Sequence, residues 1–106
     1  MRYVLVIAVL LSFTVPAKAV LVMSYSDCGR WLEWRKEEDQ WTRVIEFWVS
    51  GFLSGLAEGS RIEFWGLEPQ ITADQVFYWM DNYCRDNPLS DTHAGSLELF
   101  IERTGN

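Results

Sequence analysis

The sequence predicts an all-α protein, a compact bundle of about four helices closed by one disulfide bond between Cys28 and Cys84. Apolar residues recur at three- and four-residue steps along nearly the whole chain, and no Val/Ile-rich alternating run indicates a β-strand. The chain holds only two cysteines, and an even number in a short exported chain is typical of a disulfide framework. Both observations indicate one small helical domain.

The first nineteen residues have the pattern of a cleaved export signal. Arg2 is followed by an apolar run over residues 3–15, Pro16 ends the run, and residues 17–19 supply the small-x-small pattern of a cleavage site. The run is shorter than the roughly 20 residues of a membrane-spanning helix. An uncleaved anchor is the alternative, because residues 20–23 are also apolar. We predict a signal peptide at 1–19 and a periplasmic or secreted helical domain at 20–106.

The exported part of the chain is strongly acidic. Two basic residues lie in the predicted signal, so seven remain against fifteen acidic ones, and residues 20–106 carry a net charge of −8. Such a surface repels nucleic-acid phosphates and anionic lipid head groups, so neither nucleic acid nor a membrane is expected as a partner. A basic protein would be attracted, although acidity alone also serves solubility.

The two cysteines are expected to pair because each lies on the inward face of its predicted helix. The bridge would close a long loop, which stabilises a fold by about 4 kcal/mol on the chain-entropy model. Free thiols or a redox pair are the alternative, although the chain has no Cys-x-x-Cys. Cys28, Cys84 and the single histidine, His93, do not complete a zinc site, so no metal or other cofactor is expected.

The first two helices are predicted on either side of an acidic turn. Ser26 or Asp27 can cap the first helix. Its inward stripe consists of Cys28, Trp31, Leu32 and Arg35. Asp39 can cap the second helix, which is predicted over residues 40–58. The continuous apolar face of this helix contains Trp41, Val44, Ile45, Trp48, Phe52 and Leu56. Further apolar residues widen that face, as is typical of a central helix covered on more than one side.

Gly51 and Gly55 interrupt the second helix with small residues four apart. Glycine within a helix costs about 1 kcal/mol relative to alanine, so a compensating contact is expected. The Gly-x-x-x-Gly pattern is found in membrane helix pairs, but Arg43 and Glu46 lie in the same segment. We therefore expect Gly51 and Gly55 to mark a place where another backbone packs closely within the core.

A loop with an unusual aromatic content is predicted over residues 59–69. Phe64 and Trp65 lie there among charged residues. Either these side chains fold back over the core, or they are partly exposed for a partner. The next helix begins with a capping box of Thr72 and Gln75, and it ends before Pro88. Its inward stripe consists of Val76, Trp79, Met80, Tyr83 and Cys84.

A fourth helix follows Ser90 or Asp91, either of which can cap it, and Gly105 lies after its end. Its apolar stripe consists of Ala94, Leu97, Phe100 and Ile101. His93 lies near the cap, but no Gly-x-Ser-x-Gly elbow accompanies it. We interpret it as a solvent-facing histidine. Fifteen acids leave a glycosidase-like carboxylate pair open, but no catalytic residue is assigned and the chain is not expected to be an enzyme.

Two of the six tryptophans are not explained by the predicted core. Trp34 lies off the stripe of its helix, and Trp65 lies in the loop. Exposed aromatic residues beside acidic ones are typical of protein-recognition surfaces, with burial at the edge of the bundle as the alternative. The candidate partner-binding residues are Trp34, Phe64, Trp65, Glu37, Glu38 and Asp39.

Residues 48–55 and 71–89 resemble the Rap/Tai immunity proteins of type VI secretion. The shared pattern is an aromatic-x-x-Gly-aromatic-x-x-Gly helix, then a Thr-x-x-Gln-capped helix that ends in Tyr-x-x-x-Asn-Pro. The resemblance implies a helical periplasmic domain, often homodimeric and containing disulfide bonds, that binds and blocks peptidoglycan-cleaving amidase toxins. Phe47-Trp48 stands where that family typically has a cysteine, so no toxin-blocking residue carries over. Two cysteines enclosing a helical core are also similar to the acid-stress periplasmic chaperones of the HdeA type.

Three functions follow as expectations. The first is an exported protein-binding domain, an immunity protein that occludes the substrate cleft of a basic peptidoglycan amidase. The second is an acid-stress chaperone, because protonation of all fifteen carboxylates and His93 would bring the net charge of residues 20–106 to about +8. The third is an accessory subunit of an envelope assembly.

Overall fold

The computed structural model describes residues 20–106, in which four helices form a bundle. The helices are α1 (Cys28–Glu37), α2 (Gln40–Ser60), α3 (Ala73–Asp86) and α4 (Thr92–Thr104). Their order around the bundle is α1, α2, α4, α3, because α1 and α4 each pack against both α2 and α3. The predicted all-α bundle of four helices is confirmed. The predicted signal peptide, residues 1–19, lies outside the described residues.

Local capping residues begin all four helices. The side chains of Asp27, Asp39 and Asp91 each accept hydrogen bonds from backbone N–H groups in the first turns of α1, α2 and α4. Thr72 and Gln75 form the predicted capping box of α3. Because a cap satisfies N–H groups that have no partner within the helix, these starts depend on residues close together in sequence. The helix starts therefore agree with the predictions.

The starts of α1 and α4 are joined to each other beside the disulfide bond. The Cys28 N–H donates to the Ser90 carbonyl at 3.0 Å, and the Thr92 N–H donates to the Ser26 carbonyl at 2.9 Å. The Cys28–Cys84 bridge then links α1 to α3, and both cysteines are fully buried. The predicted disulfide pairing is confirmed. No helix within residues 20–106 has the length and apolar character needed to cross a membrane.

The inward face of α2 differs from the predicted one. Its buried side chains are Thr42, Ile45, Val49 and Leu53. Trp41 and Val44, which were expected to face inward, are about half exposed. The reason is that α1 and α4 cover only one side of α2, so a helix that is apolar nearly all round leaves its other side bare. In α4 the buried face also differs from the predicted one: Phe100 is buried as predicted, but Leu99 is buried and Ile101 is exposed.

The loop after α2 folds back over the bundle, and Arg103 of α4 holds it there. The Arg103 Nε donates to the Phe64 carbonyl at 2.7 Å, and Nη2 donates to the carbonyls of Leu67 and Pro69 at 2.8 and 3.0 Å. Phe64 is fully buried and stacks on Phe100 with ring centroids 5.8 Å apart. Of the two predicted alternatives for this loop, Phe64 follows the first.

A polar network ties α1, α2 and α3 together. The Arg35 guanidinium donates to both carboxylate oxygens of Asp81, at 3.0 and 2.9 Å, and to Glu46 at 2.8 Å. The Trp31 Nε1 donates to the same Asp81 carboxylate at 2.8 Å. These contacts raise the pKa of Arg35, chiefly through the hydrogen bonds to Asp81 and then through the charges of Asp81 and Glu46. The network lies at the edge of the core, where Asp81 is only 7% exposed.

Glycine serves close packing at Gly95 and not at the two positions predicted from the sequence. No atom lies within 4 Å of a Cβ built on Gly51 or Gly55, so the expected close approach is not made within residues 20–106. A Cβ on Gly95 would instead lie 2.7 Å from the Met80 sulfur and 2.8 Å from the Tyr83 ring. The tight contact between α3 and α4 therefore requires Gly95.

Replacing Gly95 with alanine is expected to lower the free energy of unfolding by about 1–2 kcal/mol. Overpacking costs about 1–3 kcal/mol, and the helix propensity of alanine offsets up to about 1 kcal/mol. The Tyr83 ring cannot easily yield, because it stacks on Trp79 and its hydroxyl is hydrogen-bonded to Ser90. Urea unfolding measures the loss. The control is Gly59→Ala, in which the new Cβ enters open space. If Gly59→Ala and Gly95→Ala destabilise the protein equally, the prediction is contradicted.

Candidate protein-binding site

An apolar groove runs along the exposed side of α2, between that helix, α1 and the segment that precedes α1. We call it the aromatic groove. It has a volume of about 520 Å³, and its lining consists of Ser24, Tyr25, Ser26, Arg30, Trp34, Trp41, Val44, Ile45, Phe47 and Trp48. Most of these side chains are aromatic or aliphatic, so the groove is a place where water is easily displaced.

The segment before α1 forms one wall of the groove. The Trp48 indole N–H donates to the Met23 carbonyl at 3.0 Å, which holds this segment across α2. Tyr25 packs its ring edge-on against Trp48, with centroids 6.4 Å apart. His93 lies half-buried between Tyr25 and Phe52, at centroid distances of 5.9 and 5.2 Å. The predicted solvent-facing histidine is therefore partly enclosed by aromatic rings.

A stacked tryptophan pair closes the end of the groove where α1 meets α2. The rings of Trp34 and Trp41 are 5.6 Å apart and 26° from parallel. The Arg30 guanidinium lies over the Trp34 ring at 5.1 Å from its centroid. Arg30 therefore already makes a cation–π contact with one member of the pair.

The apolar side chains beside the pair are unusually exposed. Phe47 is 70% exposed, Val44 53% and Trp41 48%. A neighbouring group of large exposed apolar side chains is uncommon on a small monomeric domain, and it is typical of an interaction surface. The sequence prediction missed this face because it assigned Trp41 and Val44 to the core. The sequence did contain a sign of this exposed face: apolar residues extend around nearly the whole circumference of α2, which is more than two neighbouring helices can cover.

Acidic residues gather at the same end of the molecule, where α1 turns into α2. We call Glu33, Glu37, Glu38 and Asp39 the acidic corner. Glu37 lies three residues after Trp34 and therefore on the same side of α1, while Asp39 caps α2. The pKa of Glu37 is raised above its ordinary value, first by partial desolvation and then by the charges of Asp39 and Glu33. The corner thus holds like charges that repel one another.

Replacing Glu37 with glutamine is expected to raise the melting temperature at pH 7 and to leave it unchanged at pH 3. A carboxyl whose pKa is raised by folding favours the folded state below its unfolded pKa, near 4.5. That contribution is lost as the pH rises through the folded pKa, so ionised Glu37 opposes folding at pH 7. Thermal unfolding at both pH values measures the effect. The exposed Glu102→Gln is the control, and a drop in melting temperature at pH 7 for Glu37→Gln would contradict the assignment.

The structure separates the predicted partner-binding residues into three groups. Trp34 and the Glu37–Asp39 turn lie together at the end of the aromatic groove. Phe64 is fully buried, as in the alternative in which the loop folds back, so it is not accessible to a partner: Arg103 holds down the loop that carries it. Trp65 is half-buried at the opposite end of α2, where its indole N–H donates to the Ser54 hydroxyl at 3.0 Å. It belongs to a different and more polar cavity.

The polar cavities offer little for chemistry. One cavity of about 510 Å³ lies beside Arg35, Asp39 and Glu46, but the guanidinium is already paired with Glu46 and Asp81. Among residues 20–106, no group of three or more histidine, cysteine or acidic side chains is placed to hold a metal ion. The aromatic groove is therefore the best candidate site.

No protein-family profile, no characterised protein and no solved structure matches this chain. The residues of the groove and the corner carry the functional argument.

Proposed function

We propose that this chain is an exported protein-binding domain, which binds a basic segment of a partner protein at the Trp34–Trp41 pair and the acidic corner. The observation that carries the proposal is the stacked pair itself, in which the Trp41 ring is about half exposed at the end of the molecule that holds the acidic corner. Tryptophan, with tyrosine and arginine, is enriched among the residues that dominate binding energy at protein interfaces.

Charge supports a basic partner. Residues 20–106 carry a net charge of −8, which would steer a basic protein toward this domain. A lysine or arginine of the partner would relieve the repulsion that raises the pKa of Glu37. The same cation could lie over the half-exposed Trp41 ring, in the way that Arg30 lies over Trp34. Charge and aromatic surface therefore favour the same type of partner segment.

A peptidoglycan amidase remains the proposed partner, with the domain acting as its immunity protein. The mechanism would be occlusion, in which the tryptophan pair enters the edge of the substrate cleft and the acidic corner binds basic residues around it. An accessory role in an envelope assembly would use the same surface. The identity of the bound protein distinguishes these two forms of the proposal.

Site-specific photo-crosslinking tests the site. The full chain, with its own N-terminal segment, carries a photoreactive phenylalanine at position 41 and is expressed in the cells that produce it. We expect one stoichiometric adduct with a basic envelope protein at pH 7, and we expect salt to weaken it. The control carries the probe at position 89, where the leucine is fully exposed in the α3–α4 turn.

Two outcomes would overturn the proposal: no adduct at position 41, or the same adduct from positions 41 and 89. If the adduct is an amidase, Trp34→Ala should abolish inhibition of that enzyme while circular dichroism shows an intact fold. Glu38→Gln should weaken inhibition less at high salt than at low salt, because screening already removes part of its contribution.

A second function, that of an acid-stress chaperone, is supported by the helix caps. Three of the four helices begin at an aspartate, and protonation of a capping carboxylate weakens the acceptor on which the helix start depends. Strong acid would thus loosen several helices at once and expose the apolar core. Suppression of client aggregation at pH 3 by the full chain, but not at pH 7, would support this function. A folded and inactive protein at pH 3 would eliminate it.

A further inference from the structure

A second cavity lies at the other end of α2 from the acidic corner, where that helix leads into the loop held by Arg103. We call it the loop cavity. Its volume is about 490 Å³, and its lining includes Ser54, Glu58, Arg61, Glu63 and Trp65. Ser54 lies 13 residues after Trp41, about 20 Å further along the helix axis and roughly 140° around it. The loop cavity is therefore separate from the aromatic groove, and its size is that of a small-molecule site.

The Trp65 ring is held in one orientation at the edge of this cavity. Its indole N–H donates to the Ser54 hydroxyl at 3.0 Å, and that hydroxyl donates to the Ser50 carbonyl at 2.8 Å. The ring also packs edge-to-face with the buried Phe64, with centroids 5.0 Å apart. Arg103 in turn binds the Phe64 carbonyl. An aromatic ring that is already fixed in this way loses little conformational entropy when a ligand packs on it.

The charged groups beside the ring are of both signs, and they do not pair with one another. One carboxylate oxygen of Glu63 accepts the Gly66 N–H at 2.6 Å, which fixes this side chain. Glu58 and Arg61 are exposed, and among residues 20–106 none of these three charged side chains takes part in an ion pair. The guanidinium and the two carboxylates therefore remain available as hydrogen-bond donors and acceptors on one small surface.

This combination of groups matches the chemistry of a neutral sugar. One face of a pyranose ring bears C–H groups and packs on an aromatic ring with loss of water, while its hydroxyls both donate and accept hydrogen bonds. An anion would be repelled by Glu58 and Glu63, and a cation would be repelled by Arg61. A purely apolar ligand would leave all three charged groups without partners.

We propose that the loop cavity binds a neutral glycan, with one pyranose ring on the Trp65 indole and its hydroxyls on Glu58, Arg61 and Glu63. This site accounts for Trp65, the exposed member of the aromatic loop, which the aromatic groove does not include. The inference goes beyond the proposed binding of a basic protein and does not depend on it, because the two surfaces lie on different parts of α2.

The test is an NMR titration of the full chain, purified as the cell processes it, with cellotriose and chitotriose as probes. The Trp65 indole N–H resonance, assigned from its loss in Trp65→Phe, should shift with a Kd of about 1 mM or tighter for at least one of them. The Trp41 resonance should stay in place. Sorbitol, which carries hydroxyls but no ring face, should shift neither. No Trp65 shift with either sugar at about 10 mM, or an equal shift with sorbitol, would overturn the proposal.

Two substitutions separate loss of binding from loss of the fold. Trp65→Ala should weaken glycan binding at least about tenfold, whereas Trp41→Ala, the matched control, should leave it unchanged. Arg61→Gly should also weaken binding but should not lower the melting temperature, because Arg61 ends α2 with a φ of 58°, where glycine is favoured. Unaltered glycan affinity in Trp65→Ala or in Arg61→Gly would refute the proposed contacts.

A cation is the competing ligand, and arginine amide is the probe for it. If arginine amide shifts the Trp65 resonance, more at low salt than at high salt, and neither sugar does, the cavity is a cation site and the proposal is wrong. Glycan binding should be insensitive to salt. Glycan binding without the adduct from position 41 would refute the proposed function alone, and that adduct without glycan binding would refute this inference alone.

Discussion

Replacing Asp81 with alanine is expected to lower the free energy of unfolding by about 3 kcal/mol. Removal of one partner from a buried ion pair costs about 3–5 kcal/mol, and the lower value applies because the Arg35 side chain is 21% exposed and partly regains water. The change also leaves the buried Trp31 indole N–H without its acceptor. Three helices lose a common connection, because the Arg35 guanidinium joins Asp81 of α3 to Glu46 of α2.

Urea unfolding followed by circular dichroism measures this loss. Asp74→Ala is the matched control, since it removes an exposed aspartate from the first turn of the same helix and should cost no more than about 1 kcal/mol. Arg35→Met in a double-mutant cycle with Asp81→Ala should show strong coupling. Equal losses for Asp81→Ala and Asp74→Ala would show that the network does not stabilise the fold.

Removal of the Cys28–Cys84 bridge is expected to lower the free energy of unfolding by about 4 kcal/mol, through the entropy that a cross-link removes from the unfolded chain. The two cysteines are 56 residues apart, so the closed loop contains most of the core. A domain of this size is stable by only about 5–15 kcal/mol in total. Without the bridge the domain should therefore lie close to its unfolding transition at 37 °C.

The measurement compares urea midpoints of the oxidised protein with and without a reductant. A Cys28→Ala/Cys84→Ala variant should unfold near the midpoint of the reduced protein, and reductant should not shift it. If thiol titration proves full reduction while the midpoint stays where it was, the bridge contributes nothing to stability.

The helix starts show how far local chemistry extends. A cap joins a side chain to N–H groups two or three residues away, so Asp39 and Thr72 reveal their role in the sequence itself. The disulfide was predictable for a related reason. Cys28 and Cys84 each fall on the apolar repeat of a helix. Both side chains therefore point into the same small core, where they are expected to meet.

The contacts of Arg35, Gly95 and Arg103 were not predictable in this way. Arg35 was visible on an inward stripe, but nothing local shows that Asp81, 46 residues later, completes its ion pair. Arg103 holds a loop whose nearest residue lies more than 30 positions away. No sequence pattern marks Gly95 as a contact position. Gly51 and Gly55 do form a Gly-x-x-x-Gly pattern, but they make no close contact within residues 20–106.

The amino-acid sequence determines where the helices begin, that they form one bundle, and which cysteines pair, because capping and apolar periodicity act over a few residues. The tertiary structure decides which apolar residues of α2 stay outside the core. That outcome depends on how many neighbours a helix has, and α2 packs chiefly against α1 and α4. The candidate binding site consists of the side chains that this arrangement leaves exposed, so periodicity identifies them as apolar but does not identify them as surface.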